Sequence, residues 1–100
     1  MPNKVLVVDQ LEKTGSACPS QWEAKLDDGR MLYIRYRWGR LTVEVSRLPT
    51  DDIFDAVGAN LILDKRFGGA YDGTLSTDEM KSHCSRVLQF NIDQVISSAV

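Results

Sequence analysis

The segment Met31–Arg37 lies between two short turn signals, and these signals constrain the fold more than any other feature of the sequence. Before the segment, Asp27-Asp28-Gly29 suits a three-residue hairpin loop with glycine in the left-handed conformation. After it, Trp38-Gly39 suits a two-residue turn. Two hairpins that share one strand form a meander. The middle of the chain therefore predicts three consecutive antiparallel strands.

Matching of apolar residues fixes the register of both hairpins. A three-residue first loop places Trp22 opposite Ile34, whereas a two-residue loop would set Trp22 against the charged Arg35. A two-residue second turn places Ile34 opposite Val43. The predicted apolar pairs are Trp22 with Ile34, Ala24 with Leu32, Tyr36 with Leu41, Ile34 with Val43, and Leu32 with Val45. Both hairpins thus predict the same buried face.

The opposite face of the meander carries the candidate binding site. The net charge of the whole chain is −2, but residues 30–47 contain five arginines and one acid, a local net charge of +4. Tryptophan, tyrosine and arginine are the residues that most often dominate binding surfaces. A tight turn that requires positive φ disfavours tryptophan, so the local backbone conformation does not explain the presence of Trp38. The candidate binding residues are Tyr33, Arg35, Arg37, Trp38 and Arg40.

A structural explanation of the same residues stays open at this point. Trp38 could fold back against neighbouring helices, and the arginines could be solvated or paired with Glu23 and Glu44 across the face. The basic middle and the acidic second half of the chain could also neutralise each other within the fold or across a dimer.

The first segment, Lys4–Leu11, is apolar at both alternating positions, as in a strand covered on both faces. We expect it to join the meander as a fourth strand that Thr14-Gly15-Ser16 ends. After the meander, Thr50 is a good N-cap for a short helix with Ile53, Phe54 and Val57 on its apolar face. Residues 61–63 suit an edge strand or a further helical turn, and periodicity does not decide between them.

The C-terminal segment shows the clearest helical pattern. Ser76-Thr77-Asp78-Glu79 is a capping box. The apolar positions that follow have helical spacing: Met80, Cys84, Val87, Leu88, Ile92, Val95, Ile96 and Ala99. Either one helix or two over residues 77–99 fits. The predicted fold is α+β: one domain over residues 1–100, with a three- to four-stranded antiparallel meander, helices packed on one face and a C-terminal amphipathic helix.

Catalytic and metal-binding patterns are sparse. His83 is the single histidine, and with Cys84 and Cys18 it lacks the spacing of a metal site. Cys18 is a candidate reactive thiol, although no neighbour in sequence would lower its pKa. The glycine-rich stretch 67–73 lacks the phosphate-binding patterns of nucleotide-binding loops. We therefore expect no enzyme, no cofactor and no metal; a sensor or enzyme that uses Tyr71, Asp72 and His83 is the least favoured interpretation.

One broader resemblance covers about a quarter of the chain. The run Cys18-Pro-Ser-Gln-Trp-Glu23, then Asp28-Gly-Arg30, then Tyr33-Ile-Arg-Tyr-Arg-Trp-Gly-Arg-Leu41 resembles a pattern in small uncharacterised proteins of actinobacteria and bacteriophages. This resemblance implies an origin and no activity.

The favoured function is a small non-enzymatic binding protein of the cytoplasm. It would present the basic, aromatic sheet face and hairpin tip to another protein or to a second copy of itself. A nucleic-acid binder that uses the same arginines and aromatics is the alternative. No apolar stretch is long enough to span a membrane, so no membrane partner is expected.

Overall fold

The protein is mostly sheet. The computed structural model describes residues 5–16, 20–69, 74–91 and 96–97. Within these ranges the strands are β1 (Leu6–Ser16), β2 (Ser20–Leu26), β3 (Met31–Arg37), β4 (Arg40–Val45), β5 (Asn60–Arg66), β6 (Leu88–Phe90) and β7 (Ile96–Ser97). One helix, α1 (Thr77–His83), and a 3₁₀ turn, Ile53–Asp55, complete the regular structure of these ranges.

Six strands follow one another across a curled half-barrel in the order β5-β4-β3-β2-β1-β6, and β7 also pairs with β1. Pairs from β1 to β5 are antiparallel, whereas β6 and β7 lie parallel to β1. The predicted α+β fold of a three- to four-stranded meander under several helices is therefore wrong. The sheet is larger and mixed, and one short helix accompanies it in the described ranges.

The predicted meander itself is confirmed. Trp22 pairs with Ile34 and Ala24 with Leu32, as the longer first loop requires. The second hairpin has the predicted two-residue turn, and all three of its expected apolar pairs are present. Every second residue of β2 and of β3 is buried, so the side chains of one face form the concave core of the half-barrel.

Strand β1 runs further than the sequence predicts. It does pair with β2 as a fourth strand, but it continues through Thr14 and Gly15 to Ser16. Irregularities in its pairing follow Val8 and Lys13. A bulge changes which alternate residues face inward, and Val8 and Leu11 are consequently both buried. The residues that are apolar at both alternating positions, 5–8, precede this bulge; Val8 is buried, Leu6 and Val7 are partly buried and Val5 is exposed.

The predicted helix after the meander is a single 3₁₀ turn. Its N-cap is Asp52, which accepts a hydrogen bond from the Phe54 backbone N–H, and not Thr50. Phe54 is 78% exposed and Val57 is also exposed, so these apolar residues cover no core. A short helix without a packed face is not stable in water. Residues 61–63, undecided from the sequence, belong to strand β5.

The capping box is confirmed, but the long C-terminal helix is wrong. Ser76 and Glu79 cap each other's backbone N–H groups, and α1 ends after His83. A hydrogen-bonded turn at Cys84 follows, in which Cys84 O accepts from the N–H groups of Val87 and Leu88. The chain then enters β6 beside β1. Of the predicted later positions, Ile92, Val95 and Ala99 lie outside the described residues, and Ile96 is in β7.

Helix α1 lies against the concave side of the sheet. Its Met80 and the adjoining Cys84 belong to the same buried cluster as Trp22, whose indole Nε1 donates to Thr77 Oγ1 at 3.0 Å. Helix α1 has seven residues, too few to span a bilayer, and the described ranges contain no longer helix. The convex face of the meander remains uncovered by α1, and the candidate binding residues lie there.

Candidate binding site

Polar side chains on the convex face form rows that cross the strands. The strand registers align the first row as Glu12, Glu23, Tyr33 and Glu44, which we call the acidic row. They align the row at the hairpin tip as Arg37, Arg40 and Arg66, which we call the basic row. Between the two rows lie Gln21, Arg35, Thr42 and Asp64. The face therefore changes from acidic to basic towards the β3–β4 turn.

Around the basic row the surface forms a shallow pocket of about 250 Å³. We call it the arginine–tryptophan site. Its lining residues are Arg35, Arg37, Trp38, Arg40, Thr42 and Arg66. Strands β3, β4 and β5 each contribute, because their register brings the arginines side by side. Four guanidinium groups thus share one small concave surface.

Asp64 neutralises part of this charge. Its carboxylate accepts two hydrogen bonds from Arg40, from Nε at 2.7 Å and from Nη2 at 2.6 Å. The Arg40 hydrogen bonds hold the pKa of Asp64 below its usual value, and the same contact raises the pKa of Arg40. With four arginines and this one carboxylate, the site keeps a net charge of +3.

Two arginines in the site hold hydrogen-bond donors that are unused within the described chain. The Nε atoms of Arg35 and Arg37 are buried and have no hydrogen-bond acceptor among the described residues. A buried donor without an acceptor destabilises a fold by about 1–3 kcal/mol. An acceptor supplied from outside the described chain would remove this local cost.

Trp38 stands in a strained turn at the edge of the site. Its φ is 55° and that of Gly39 is 75°, so both central residues of the turn are left-handed, as in a type I′ turn. Trp38 is the one residue other than glycine with positive φ in the described ranges. Its side chain is 43% exposed, and the Arg37 guanidinium carbon lies 5.1 Å from the ring centroid.

The loop after β5 holds this turn in place. Gly39 O accepts hydrogen bonds from the backbone N–H groups of Phe67 (2.9 Å) and Gly68 (3.1 Å). A Cβ at position 39 would lie only 2.3 Å from Gly68 O. The loop thus holds the backbone of Gly39 through hydrogen bonds and close packing, and it supports Trp38 beside it.

The structure brings together four of the five residues that the sequence singled out. Arg35, Arg37, Trp38 and Arg40 line the site. Tyr33 does not, because it lies in the acidic row, where its hydroxyl donates to Gln21 Oε1 at 3.1 Å. Arg40 pairs with Asp64 and not with either glutamate, and Glu44 accepts from the Gly58 backbone N–H.

Arg66 and Thr42 are lining residues that the sequence reasoning missed. Strand alternation places Thr42 on the correct face, but a threonine carries no charge or ring that would mark it as a candidate. The sequence does not mark Arg66, because the run 61–63 suits a helix and a strand equally well. In a strand that continues to Arg66, alternation puts Asp64 and Arg66 on the face of the arginines.

Other chemistry-bearing residues do not converge on this site. Within the described ranges, no three histidine, cysteine, aspartate or glutamate side chains lie together as a metal site would require. His83 stacks on Phe67 with ring centroids 3.8 Å apart. Cys84 is buried, and desolvation raises the pKa of its thiol to about 12. Cys18, Tyr71 and Asp72 lie outside the described residues.

Comparisons with protein families, curated proteins and solved structures found no match to this chain.

Proposed function

We propose that this chain is a small, non-enzymatic binding protein that holds a partner protein at the arginine–tryptophan site. The observation that carries the proposal is the conformation and exposure of Trp38. A large aromatic side chain occupies a left-handed turn position, is 43% exposed and stands beside four arginines. The free thiol of Cys84 is compatible with a reducing compartment, and we place the protein in the cytoplasm.

Local stability does not account for Trp38. The left-handed conformation costs a residue other than glycine about 1–2 kcal/mol. An exposed stack between an arginine and an aromatic ring returns about 0.5–1 kcal/mol. The contact between Arg37 and Trp38 therefore offsets the strain only in part. Strain of this kind is concentrated at functional sites, and exposed tryptophan and arginine are the residue types that dominate binding energies.

A protein partner fits the charge distribution of this face better than a nucleic acid does. Arg35 and Tyr33 are two residues apart on β3, so the acidic row runs about 7 Å from Arg35. A long polyanion that followed the strands away from the turn would meet Glu12, Glu23 and Glu44. Nucleic-acid binding depends on many phosphate contacts over an extended basic surface. The basic area here is small and is bounded by acids.

A second copy of the chain is one partner that the face itself favours. An acidic row and a basic row lie parallel on one surface. In a two-fold symmetric dimer both copies use the same face, and a residue i that contacts residue j is matched by j contacting i. A two-fold axis that runs between the two rows and parallel to them would place the basic row of each copy on the acidic row of the other. Self-association is therefore the first form of the proposal to test.

The test compares Trp38→Asn with Phe54→Asn. Both variants replace an exposed aromatic residue with the same polar residue, but Phe54 lies on the 3₁₀ turn outside the site. Native mass spectrometry measures self-association, and chemical crosslinking in extracts of the source cells measures capture of other proteins. We expect Trp38→Asn to lose the dimer or the captured partner, and Phe54→Asn to keep it.

Two results would contradict the proposal. One is an oligomeric state and a set of crosslinked proteins that Trp38→Asn leaves unchanged. The other is a strong, salt-sensitive association with single-stranded DNA or RNA, which would assign the site to nucleic acid.

A further inference from the structure

We propose that the arginine–tryptophan site recognises a phosphate monoester dianion, carried by a phosphorylated side chain of the partner protein. This inference rests on the proposed function and names the chemical group that the site binds. Three observations support it: the charge of the site, its size, and the unused donors on Arg35 and Arg37.

The charge of the site calls for a compact multivalent anion. Four arginines and Asp64 leave a net charge of +3 around one pocket. A single carboxylate of a partner would bring only one negative charge. A phosphorylated side chain carries about −1.5 to −2 at pH 7 and three acceptor oxygens on one atom. The phosphate monoester therefore matches the site more closely than an aspartate or glutamate does.

The size of the pocket points in the same direction. Its volume of about 250 Å³ is below the roughly 300–1,000 Å³ of pockets that enclose whole small molecules. A terminal group on a partner side chain suits such a surface, whereas a complete nucleotide would extend beyond it. Trp38 at the rim can contact the chain that carries the phosphate.

The donors supply the recognition chemistry. The buried Nε atoms of Arg35 and Arg37 have no acceptor among the described residues. Guanidinium groups bind phosphate oxygens through two parallel N–H bonds, and such charged hydrogen bonds are about twice as strong as neutral ones. Arg40 already uses this geometry on the carboxylate of Asp64. A phosphate above β4, towards which the side chains of Arg35 and Arg37 turn their Nε–H groups on binding, would give these donors the acceptors that the described chain does not provide.

The experiment is a set of titrations of the full chain followed by isothermal calorimetry. The probes are inorganic phosphate, O-phosphoserine, N-acetylglutamate and a short oligothymidylate. Each is titrated at pH 7.5 and at pH 5.5. The variants are Arg35→Gln and Arg66→Gln in the site, with Arg30→Gln as the matched control. Arg30 precedes β3 at the other end of the sheet and pairs with Asp28.

We expect phosphate and O-phosphoserine to bind at pH 7.5. The affinity of O-phosphoserine should drop about threefold to fourfold at pH 5.5, because the second pKa of a phosphate monoester is about 6 and the dianion fraction falls by about that factor. Arg35→Gln and Arg66→Gln should each lower the affinity at least fivefold, and Arg30→Gln should leave it unchanged. Asp64→Asn should raise the affinity roughly threefold, because it removes a negative charge next to the anion.

Three results would overturn the inference. N-acetylglutamate could bind as tightly as O-phosphoserine, oligothymidylate could bind more tightly than either, or Arg35→Gln could leave phosphate affinity unchanged. Loss of phosphate binding alone does not remove the proposed function. If O-phosphoserine fails to bind but Trp38→Asn still abolishes partner capture, the inference is wrong and the binding function stands. If phosphate binds but Trp38→Asn captures partners normally, the proposed protein-binding function is wrong.

Discussion

Arg37 and Trp38 are consecutive residues whose side chains lie against each other, with the guanidinium carbon 5.1 Å from the indole centroid. Strand alternation would separate neighbouring side chains to opposite faces. The left-handed conformation of Trp38 turns its ring back onto the face of Arg37. The turn therefore positions an aromatic side chain beside the arginines, at the expense of local backbone stability.

Trp38→Asn tests this balance. Asn-Gly is the sequence that type I′ turns favour, so the substitution relieves backbone strain. It also removes the stacking contact with Arg37. We expect the free energy of unfolding to be unchanged or raised by up to about 1 kcal/mol, the difference between these two effects. Urea denaturation measures it. A loss of more than about 1 kcal/mol would mean that Trp38 is kept for the stability of the fold.

Gly39→Ala tests the clamp on the turn. The substitution places a Cβ 2.3 Å from Gly68 O and also strains a backbone with φ of 75°. Gly58→Ala is the matched control, because Gly58 has φ of 74° and a Cβ added there would meet no atom within 4 Å. We expect about 1 kcal/mol of destabilisation for Gly58→Ala and about 1–3 kcal/mol more for Gly39→Ala. Equal losses in thermal denaturation would show that the loop does not hold the turn.

The Glu23→Gln variant tests whether the carboxylate charge of Glu23 in the acidic row lowers the stability of the fold. Burial and, to a smaller extent, the facing Glu12 raise the pKa of Glu23 above its usual 4.5. The folded state therefore binds the Glu23 proton more tightly than the unfolded state does. The free energy of unfolding consequently falls as the pH rises from 4.5 through the raised pKa of the folded state. We expect Glu23→Gln to stabilise the protein at pH 7 by a few tenths of a kcal/mol, since solvent screens a half-buried pair.

The pH dependence of that gain separates charge from shape. Relative to the parent protein, the gain should disappear at pH 3, where Glu23 is protonated in both states. Urea denaturation at the two pH values measures it. A gain that persists at pH 3 would mean that the effect comes from packing and not from the carboxylate charge.

Thiol labelling tests the position of Cys84 in the core. Its side chain is fully buried beside Met80, and its pKa of about 12 leaves almost no thiolate at neutral pH. In a Cys18→Ser variant, which leaves Cys84 as the remaining cysteine, we expect a disulfide reagent to react only as fast as the protein unfolds. The same reagent in urea should label it at once. Rapid labelling of the native protein would contradict the packing of α1 against the sheet.

The meander could be predicted from the sequence because several local signals agree there. Turn residues at Gly29 and Gly39 limit the loop lengths, and a one-residue slip would bury a charge such as Arg35. The same alternation correctly placed Arg35, Arg37 and Arg40 on the outer face. These inferences need only neighbouring strands, so they do not depend on the rest of the fold.

The C-terminal part could not be predicted in this way. Met80, Cys84 and Leu88 are spaced by four residues and are all buried, as in a continuous helix. The turn after α1 preserves that spacing while the chain changes to strand β6. Residues 88–90 form a strand because the edge of β1 offers them backbone hydrogen bonds in parallel pairing. That edge lies about 80 residues earlier in the chain.

The site predicted from the sequence lacks Arg66 for a related reason. Arg66 reaches the other arginines only through the pairing of β5 with β4, in which it lies opposite Arg40. The short apolar run 61–63 suits a helix and a strand equally well. Once β5 is placed, both the fourth arginine of the site and the Asp64 carboxylate that partly neutralises it follow from the register.

We propose that Trp38 serves binding and not folding. The most direct measurement is the amount of partner, whether a second copy or another protein, that Trp38→Asn retains at a concentration where it is fully folded. We predict that Trp38→Asn is as stable as the parent chain or more so, and that it retains less than about a tenth of the partner, a loss of about 1.4 kcal/mol or more in binding. Full retention of the partner by a folded Trp38→Asn protein would show that Trp38 does not serve binding.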